Sequence, residues 1–143
     1  NNVIWVSTYR FNRSVALSYT DEHARVVLAG EAAHVFPPFG GGRGLNSGVP
    51  DAVFAVDAIA AALSDPTSAI RLVRAAADER RQAGIANRDA ASSALLHMEA
   101  ATWFRRAKQR LAAVLAPRIR YLGEWLDRGP MGPNQPVSTQ SRF

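Results

Sequence analysis

The 143-residue sequence contains no cysteine, which excludes a disulfide framework and a thiolate zinc site. Its three histidines, His23, His34 and His97, show no spacing typical of metal ligands. No stretch reaches the roughly 18 consecutive apolar residues of a membrane span, and the first residues lack a basic leader. We therefore expect no metal, no membrane span and a cytoplasmic location.

Lysine is almost absent, since Lys108 is the only one, although the net charge is +5. The positive charge is therefore carried by arginine, and much of it alternates with acidic residues on predicted helices, which is typical of a solvent-exposed helix face. We accordingly expect no nucleic-acid partner. The absence of lysine from the glycine-rich segment 40–48 also excludes a phosphate-binding loop of the form G-x-x-x-x-G-K-[ST], and no register there matches G-x-G-x-x-G.

The apolar residues make up 48% of the sequence, which is enough for one domain with its own core. We assign residues 1–128 to this unit. Residues 129–143 are rich in proline, glycine and polar side chains and have no apolar face. This composition predicts a mobile tail.

Three apolar segments near the start predict β-strands. Residues 3–12 and 14–19 are rich in β-branched and aromatic side chains, which favour strands. Residues 25–30, "RVVLAG", form a short apolar run that ends in glycine, a pattern that predicts a buried and parallel strand. The intervening "TDEHA" predicts a turn.

Helical periodicity begins at about Asn46 and continues to about Leu63, with Asn46 or Ser47 as the expected N-cap. A second helical stretch is predicted from Pro66 to about Pro117, with an interruption near Gly84, and "PRIRYLGEWLDRG" adds a last short helix. The predicted fold class is therefore α/β, in the form of an α+β fragment with a few N-terminal strands followed by three to four helices.

Five glycines lie between Gly40 and Gly48, directly before the first predicted helix. Such a cluster indicates unusual backbone dihedrals or a ligand that lies close to the backbone. The first backbone N–H groups of a helix are unpaired and carry partial positive charge, so they favour an anion or an electron-rich carbonyl. Glu31 follows the third predicted strand, where a carboxylate is a candidate ligand for a ribose diol.

The segment "RVVLAGEAAHVFPPFGGGRGLNSGVPDA" resembles the second flavin-binding motif of the class A flavoprotein monooxygenases, the group of para-hydroxybenzoate hydroxylase. In that family a strand leads to Gly-Asp-Ala-Ala-His, one or two prolines, a glycine-rich turn and a Leu-Asn pair that opens a helix. The sequence before the motif and the later "AADERRQAGIANRDAASSALL" are also similar to the family. The resemblance covers roughly Trp5 to Leu96.

The resemblance implies an aromatic monooxygenase of the phenol or polyketide type, with FAD as cofactor and NAD(P)H as co-substrate. Glu31 would meet the ribityl or ribose hydroxyls, Pro38 would pack near the isoalloxazine, and the backbone of residues 44–46 would donate to the pyrimidine side of the flavin. No side chain is assigned a catalytic role, and for His34 a place in the core and a part in the chemistry both stay open. The implied cofactor-binding residues are Gly30, Glu31, Pro38, Gly42, Arg43, Gly44, Leu45 and Asn46.

The sequence departs from the family pattern in four places: Glu31 replaces an aspartate, the turn has one more glycine, Pro50 replaces a polar residue, and the following "DAVFAVDA" lacks the usual Asn-Leu and Lys. The strand, turn and helix that hold the ADP half of FAD in the family have no counterpart here. We therefore expect a C-terminal portion that needs an N-terminal FAD-binding half or partner chain, forms an oligomer, takes a small aromatic substrate and is inactive alone. The alternatives are a non-catalytic helical interaction module and a related flavin-dependent reductase or halogenase.

Overall fold

A computed structural model describes residues 4–131 of the chain and shows a mainly helical α+β fold. Four helices follow a small antiparallel pair of strands, and two 3-10 turns cover Gly30–Ala32 and Gly129–Met131. The tail predicted for residues 129–143 lies outside the described residues from 132 onward. The elements are β1 (Ser14–Val15), β2 (His34–Val35), α1 (Arg43–Ser64), α2 (Ala69–Glu99), α3 (Trp103–Leu115) and α4 (Arg120–Arg128).

The predicted strands are mostly absent. Within residues 4–13 no strand forms, and of the second predicted strand only Ser14–Val15 form a strand, β1, which pairs with β2 in antiparallel register. Ile4, Trp5 and Val6 are between 78% and 97% exposed. A strand needs a neighbour to satisfy its backbone groups, and these residues have none in the described part of the chain.

The prediction of a buried parallel strand over residues 25–30 is wrong. This segment runs antiparallel to the segment that ends at Thr20, and a single β-bridge joins Thr20 to Val27. Beside the bridge, Leu28 N–H donates to the Tyr19 carbonyl at 2.8 Å. Val26 is 54% exposed. The turn predicted at "TDEHA" forms, because the Asp21 carboxylate accepts from the backbone N–H of Arg25 and Val26. The fold is consequently α+β rather than α/β.

Helix α1 begins three residues earlier than the sequence predicts, with Gly42 as its N-cap. Gly42 has φ +69°, and no side chain caps the helix. Asn46 and Ser47 therefore lie inside α1, and so does Pro50. Since proline has no N–H, the carbonyl of Asn46 loses its helical partner at this point.

One side of α1 is apolar and exposed. Half a dozen aliphatic side chains on it have exposed fractions between 46% and 78%. By length and composition alone, α1 could cross a membrane, with a mean hydropathy of 1.3 over 18 of its residues. We call this surface the α1 apolar face, and it consists of Leu45, Val49, Val53, Val56, Ile59 and Leu63.

The second predicted helical stretch is divided at residues 100–102 rather than near Gly84. Helix α2 begins at Ala69 rather than at Pro66 and passes through Gly84 without a break. It ends where Ala100 adopts the left-handed conformation, with φ +39°. Thr102 then caps α3 by accepting from the N–H of Arg105 at 3.3 Å, and the last short helix is confirmed as α4.

Gly84 is a point of close packing rather than an interruption. The hydroxyl of Tyr19 lies against the α2 backbone there, in the space that a Cβ on residue 84 would occupy. Tyr19 is 1% exposed and packs with Ala33 and Ala77, while Val15, Ala16 and Leu28 surround this cluster. The core thus joins the N-terminal segments to α2.

Candidate functional site

Asp51 is the centre of a buried polar cluster between α1, α2 and the 3-10 turn. Its side chain is 2% exposed, and it accepts from the backbone N–H of Gly30 at 3.0 Å and from His34 Nε2 at 2.7 Å. Its second oxygen accepts from Arg80 Nε at 2.8 Å. A buried carboxylate is stable only when donors of this kind replace its hydration, so Asp51 ties three segments of the fold together.

The Asp51 cluster fixes the position of the 3-10 turn against α1. Gly30 adopts φ +58°, and a Cβ on Gly48 of α1 would lie 3.6 Å from the Gly30 Cα. The two backbones therefore lie in van der Waals contact. As a result, Glu31, the residue after Gly30, is held beside the first turn of α1.

The glycine-rich turn consists of three consecutive left-handed residues, Gly40, Gly41 and Gly42, with φ between +69° and +85°. L-residues with side chains rarely adopt this conformation. The side chain of Asn46 bridges back and donates from Nδ2 to the Gly41 carbonyl at 3.0 Å. The prediction of unusual dihedrals in this segment is therefore confirmed.

The first turn of α1 carries open backbone donors. Asn46 N–H donates to the Gly42 carbonyl at 3.1 Å, which makes it the first helical hydrogen bond. The N–H groups of Gly44 and Leu45 donate to no acceptor within the described residues. Of the backbone segment 44–46 assigned to the flavin, the first two N–H groups are thus available and the third is used by the helix.

Gly44 and Glu31 meet at this open end. A Cβ placed on Gly44 would lie 3.6 Å from Oε1 of Glu31, which is an ordinary contact distance, and it would meet no other described side chain or loop within 4 Å. Gly44 also lacks a positive φ. Neither space nor backbone conformation within the described chain requires a glycine here.

The remaining predicted site residues have different surroundings. Arg43 turns towards α2, where its guanidinium donates to Asn87 Oδ1 at 3.1 Å and to the Met131 carbonyl at 3.1 Å. Leu45 is 78% exposed. Pro38 is exposed whereas the preceding Pro37 is buried. The structure therefore brings together Gly30, Glu31 and the start of α1, and it leaves Pro38 on the surface of the adjoining turn.

His34 is a buried residue of the Asp51 cluster. It is 2% exposed, and its ring stacks on Phe36 with the ring centroids 4.4 Å apart. Nδ1 has no hydrogen-bond partner within the described residues. Sequence reasoning missed Asp51 and Arg80, although an acidic residue inside the otherwise apolar run "VPDAVFAV" is a signal that this position contacts a buried cation or donor.

Tyr19 is the other buried polar group near Asp51. Burial, followed by the Asp51 carboxylate, raises the pKa of its phenol to about 12, and Arg80 and Arg81 oppose this shift. In the unfolded chain a tyrosine ionises near pH 10. The contribution of the neutral phenol to folding is therefore complete below pH 10 and is lost as the pH rises towards 12.

We expect the free energy of unfolding to fall between pH 10 and 12 by up to about 1.4 kcal/mol per pH unit because of Tyr19. Urea denaturation across this range, compared with the Tyr19→Phe variant, measures the effect. Tyr9 and Tyr121 are exposed in both proteins and serve as a common background. An identical pH slope in the two proteins would contradict the raised pKa.

Residues 1–91 match the model of a family described as FAD binding domain, which is more than half of the chain. The matched segment includes β1, β2, the glycine-rich turn, α1 and most of α2. The chain belongs to this FAD-binding domain family. No curated protein and no solved structure matches the chain.

The site at the start of α1 fits the cofactor of this FAD-binding family. Gly44 leaves a space that no described residue fills, two N–H donors are open beside it, and a carboxylate borders it. Donors at a helix start suit the electron-rich edge of a flavin ring, and a carboxylate suits the hydroxyl groups of a ribityl chain. The family membership and this geometry agree on an FAD-dependent, hydroxylase-type protein.

Proposed function

We propose that the chain supplies the flavin-ring side of the FAD site in a class A aromatic monooxygenase that uses NAD(P)H and acts on a phenol or polyketide-type substrate. The observation that carries the proposal is Gly44. A glycine inside a helix costs up to about 1 kcal/mol relative to alanine, and neither its own φ nor a clash in the described chain accounts for it. A ligand that approaches the backbone would account for it, because Gly44 lies beside the open N–H groups at the start of α1.

The chain's own residues bind and orient the cofactor in this proposal. Gly44 and Leu45 N–H would donate to the electron-rich edge of the ring, and Glu31 would accept from the ribityl or ribose hydroxyls. When bound, FAD would supply the redox chemistry of oxygen transfer. The Asp51 cluster keeps the Glu31 turn and the helix start in register, because Asp51 itself belongs to α1 and binds Gly30 N–H.

A second polypeptide segment would hold the rest of FAD and cover the apolar surface. The α1 apolar face carries no charge, and the apolar residues Ile4, Trp5 and Val6 are also exposed. A surface of this kind normally packs against another protein surface. Asp51, near the middle of α1, packs against Arg80 of α2. This ion pair favours a protein rather than a lipid environment for the helix, and we place the complex in the cytoplasm.

The Gly44→Ala variant tests the site with two opposite effects. We expect the free energy of unfolding of the chain to rise by up to about 1 kcal/mol, since alanine favours the helix and meets Glu31 at an ordinary distance. In a complex with the N-terminal half of a class A hydroxylase, we expect about tenfold weaker FAD retention, equivalent to about 1.4 kcal/mol. Urea denaturation and the flavin absorbance of the purified complex provide the two readouts.

Gly123→Ala in α4 is the matched control, because its Cβ would lie 3.8 Å from the Ala116 Cβ and outside the site. It should gain helix stability without a change in FAD retention. Equal FAD retention by Gly44→Ala and the parent chain would overturn the flavin role. Submicromolar FAD binding by the chain alone, about 8 kcal/mol or more, would overturn the need for a second segment.

The α1 apolar face also favours a second candidate, a helical docking module derived from a flavoprotein. In that case the chain would copurify with the N-terminal half without any flavin, and Gly44→Ala would leave assembly unchanged. Consumption of NAD(P)H on addition of a phenolic substrate would favour the monooxygenase. Consumption that does not depend on the phenol would favour the related flavin-dependent reductases.

A further inference from the structure

The end of α2 forms an open cleft with α3 and α4, in the part of the chain that the FAD-binding family match does not cover. The cleft has two lobes, of about 330 Å³ and about 260 Å³, which share Ser93, His97 and Trp125. Pockets for small molecules begin at about 300 Å³. The volume of the cleft therefore suits a small molecule.

Trp125 forms the flat apolar surface between the two lobes. The His97 and Trp125 rings make a T-shaped contact, with their centroids 4.9 Å apart and their planes at 70°. Lys108 Nζ lies 4.9 Å from the Trp125 ring centroid. Tyr121 lines the larger lobe and is 73% exposed. These rings provide a surface for stacking an aromatic ligand.

The charge of the cleft is positive and is concentrated in the smaller lobe. Arg105 and Lys108 line that lobe, and within residues 4–131 no carboxylate lies at ion-pair distance from either of them. In the larger lobe, Glu124 is already paired with Arg120 at 2.7 Å and lies 3.8 Å from Arg128. Arg105 donates to the Leu96 carbonyl at 3.4 Å and Lys108 lies over the Trp125 ring, and neither contact neutralises the positive charge that the smaller lobe presents to an anion.

One wall of the cleft is fixed by close packing. The ring of His97 occupies the space that a Cβ on Gly129 would take. The Gln109 side chain donates from Nε2 to the His97 carbonyl at 2.6 Å. His97 is thus held between α3 and the 3-10 turn at Gly129, and the ring beside Trp125 is already in place before a ligand enters.

We propose that this cleft binds a small aromatic anion, with its ring against Trp125 and its carboxylate between Arg105 and Lys108. The aromatic surface selects a flat apolar body, and the two cations select a negative group. The site is separate from the flavin site at the start of α1. It does not depend on the proposed monooxygenase activity.

Titration of the full chain with 1-naphthoate tests this site, followed by the NMR signals of the tryptophan indole N–H groups. We expect the Trp125 signal to shift with a Kd below about 1 mM. Trp5 and Trp103 do not line the cleft and are about 80% exposed, so their signals should stay in place. The neutral analogue 1-naphthalenemethanol should bind about tenfold more weakly.

Lys108→Gln and Arg105→Gln should each weaken naphthoate binding by about fivefold. Arg110→Gln is the matched control, because Arg110 is exposed on the same helix and does not line the cleft. Equal binding of the neutral analogue would overturn the selection of an anion. A titration that shifts the amides of Val49 and Val53 and leaves Trp125 unmoved would place the ligand on the α1 apolar face and overturn the site.

Discussion

The Asp51→Ala variant should lose about 3–5 kcal/mol of its free energy of unfolding. The substitution leaves Arg80 Nε, His34 Nε2 and Gly30 N–H without the carboxylate that accepts from all three. Since a domain of this size has only about 5–15 kcal/mol of stability, this loss removes a large part of it. Urea denaturation monitored by circular dichroism measures the effect.

Two further variants keep this prediction testable if the alanine variant does not fold. Asp51→Asn retains an acceptor oxygen and should lose about 1–3 kcal/mol. Asp57→Ala removes an exposed carboxylate from the same helix and should change stability by less than about 0.5 kcal/mol. If Asp51→Asn and Asp57→Ala lower the free energy of unfolding by the same amount, the Asp51 cluster does not hold the fold together.

The Gly84→Ala variant should lose about 2–3 kcal/mol, although alanine favours a helix. The new methyl group would overlap the Tyr19 hydroxyl, which is buried against the α2 backbone. Relief requires a displacement of Tyr19 from the core cluster that it forms with Ala33 and Ala77. Such overpacking commonly costs 1–3 kcal/mol, and thermal or urea denaturation measures it.

The double variant Tyr19→Phe with Gly84→Ala should recover at least half of that loss. The Tyr19 hydroxyl has no hydrogen-bond partner within the described residues, so its removal costs little, and it removes the overlapping atom. Gly123→Ala provides the comparison with an uncrowded helical glycine. Additive losses from Tyr19→Phe and Gly84→Ala would mean that the two residues do not meet.

The helices could be predicted from the sequence because their signal is local. The apolar period around Val49 to Ile59 identified α1, and "PRIRYLGEWLDRG" identified α4. The strands could not be predicted in the same way, since residues 3–12 have strand composition but form no ladder over the described residues 4–13. Pairing depends on a neighbouring segment, which composition does not specify.

Gly84 is an exception in a helical pattern, and the sequence alone predicts an interruption of the helix there. The actual cause is Tyr19, which is remote in the sequence and lies against it in the fold. Similarly, the motif predicted Glu31 and Gly44 as neighbours in one site, but Asp51, which binds the turn bearing Glu31, became visible only in three dimensions.

The contact between Tyr19 and Gly84 cannot form during synthesis until residue 84 has been added. A ribosome adds about 5–20 residues per second, so residue 84 follows residue 19 by roughly 3–13 s. During that interval the segment around Tyr19 has no surface of α2 on which to settle. The apolar residues around Tyr19 therefore lack the part of their core that α2 supplies until α2 has been synthesised.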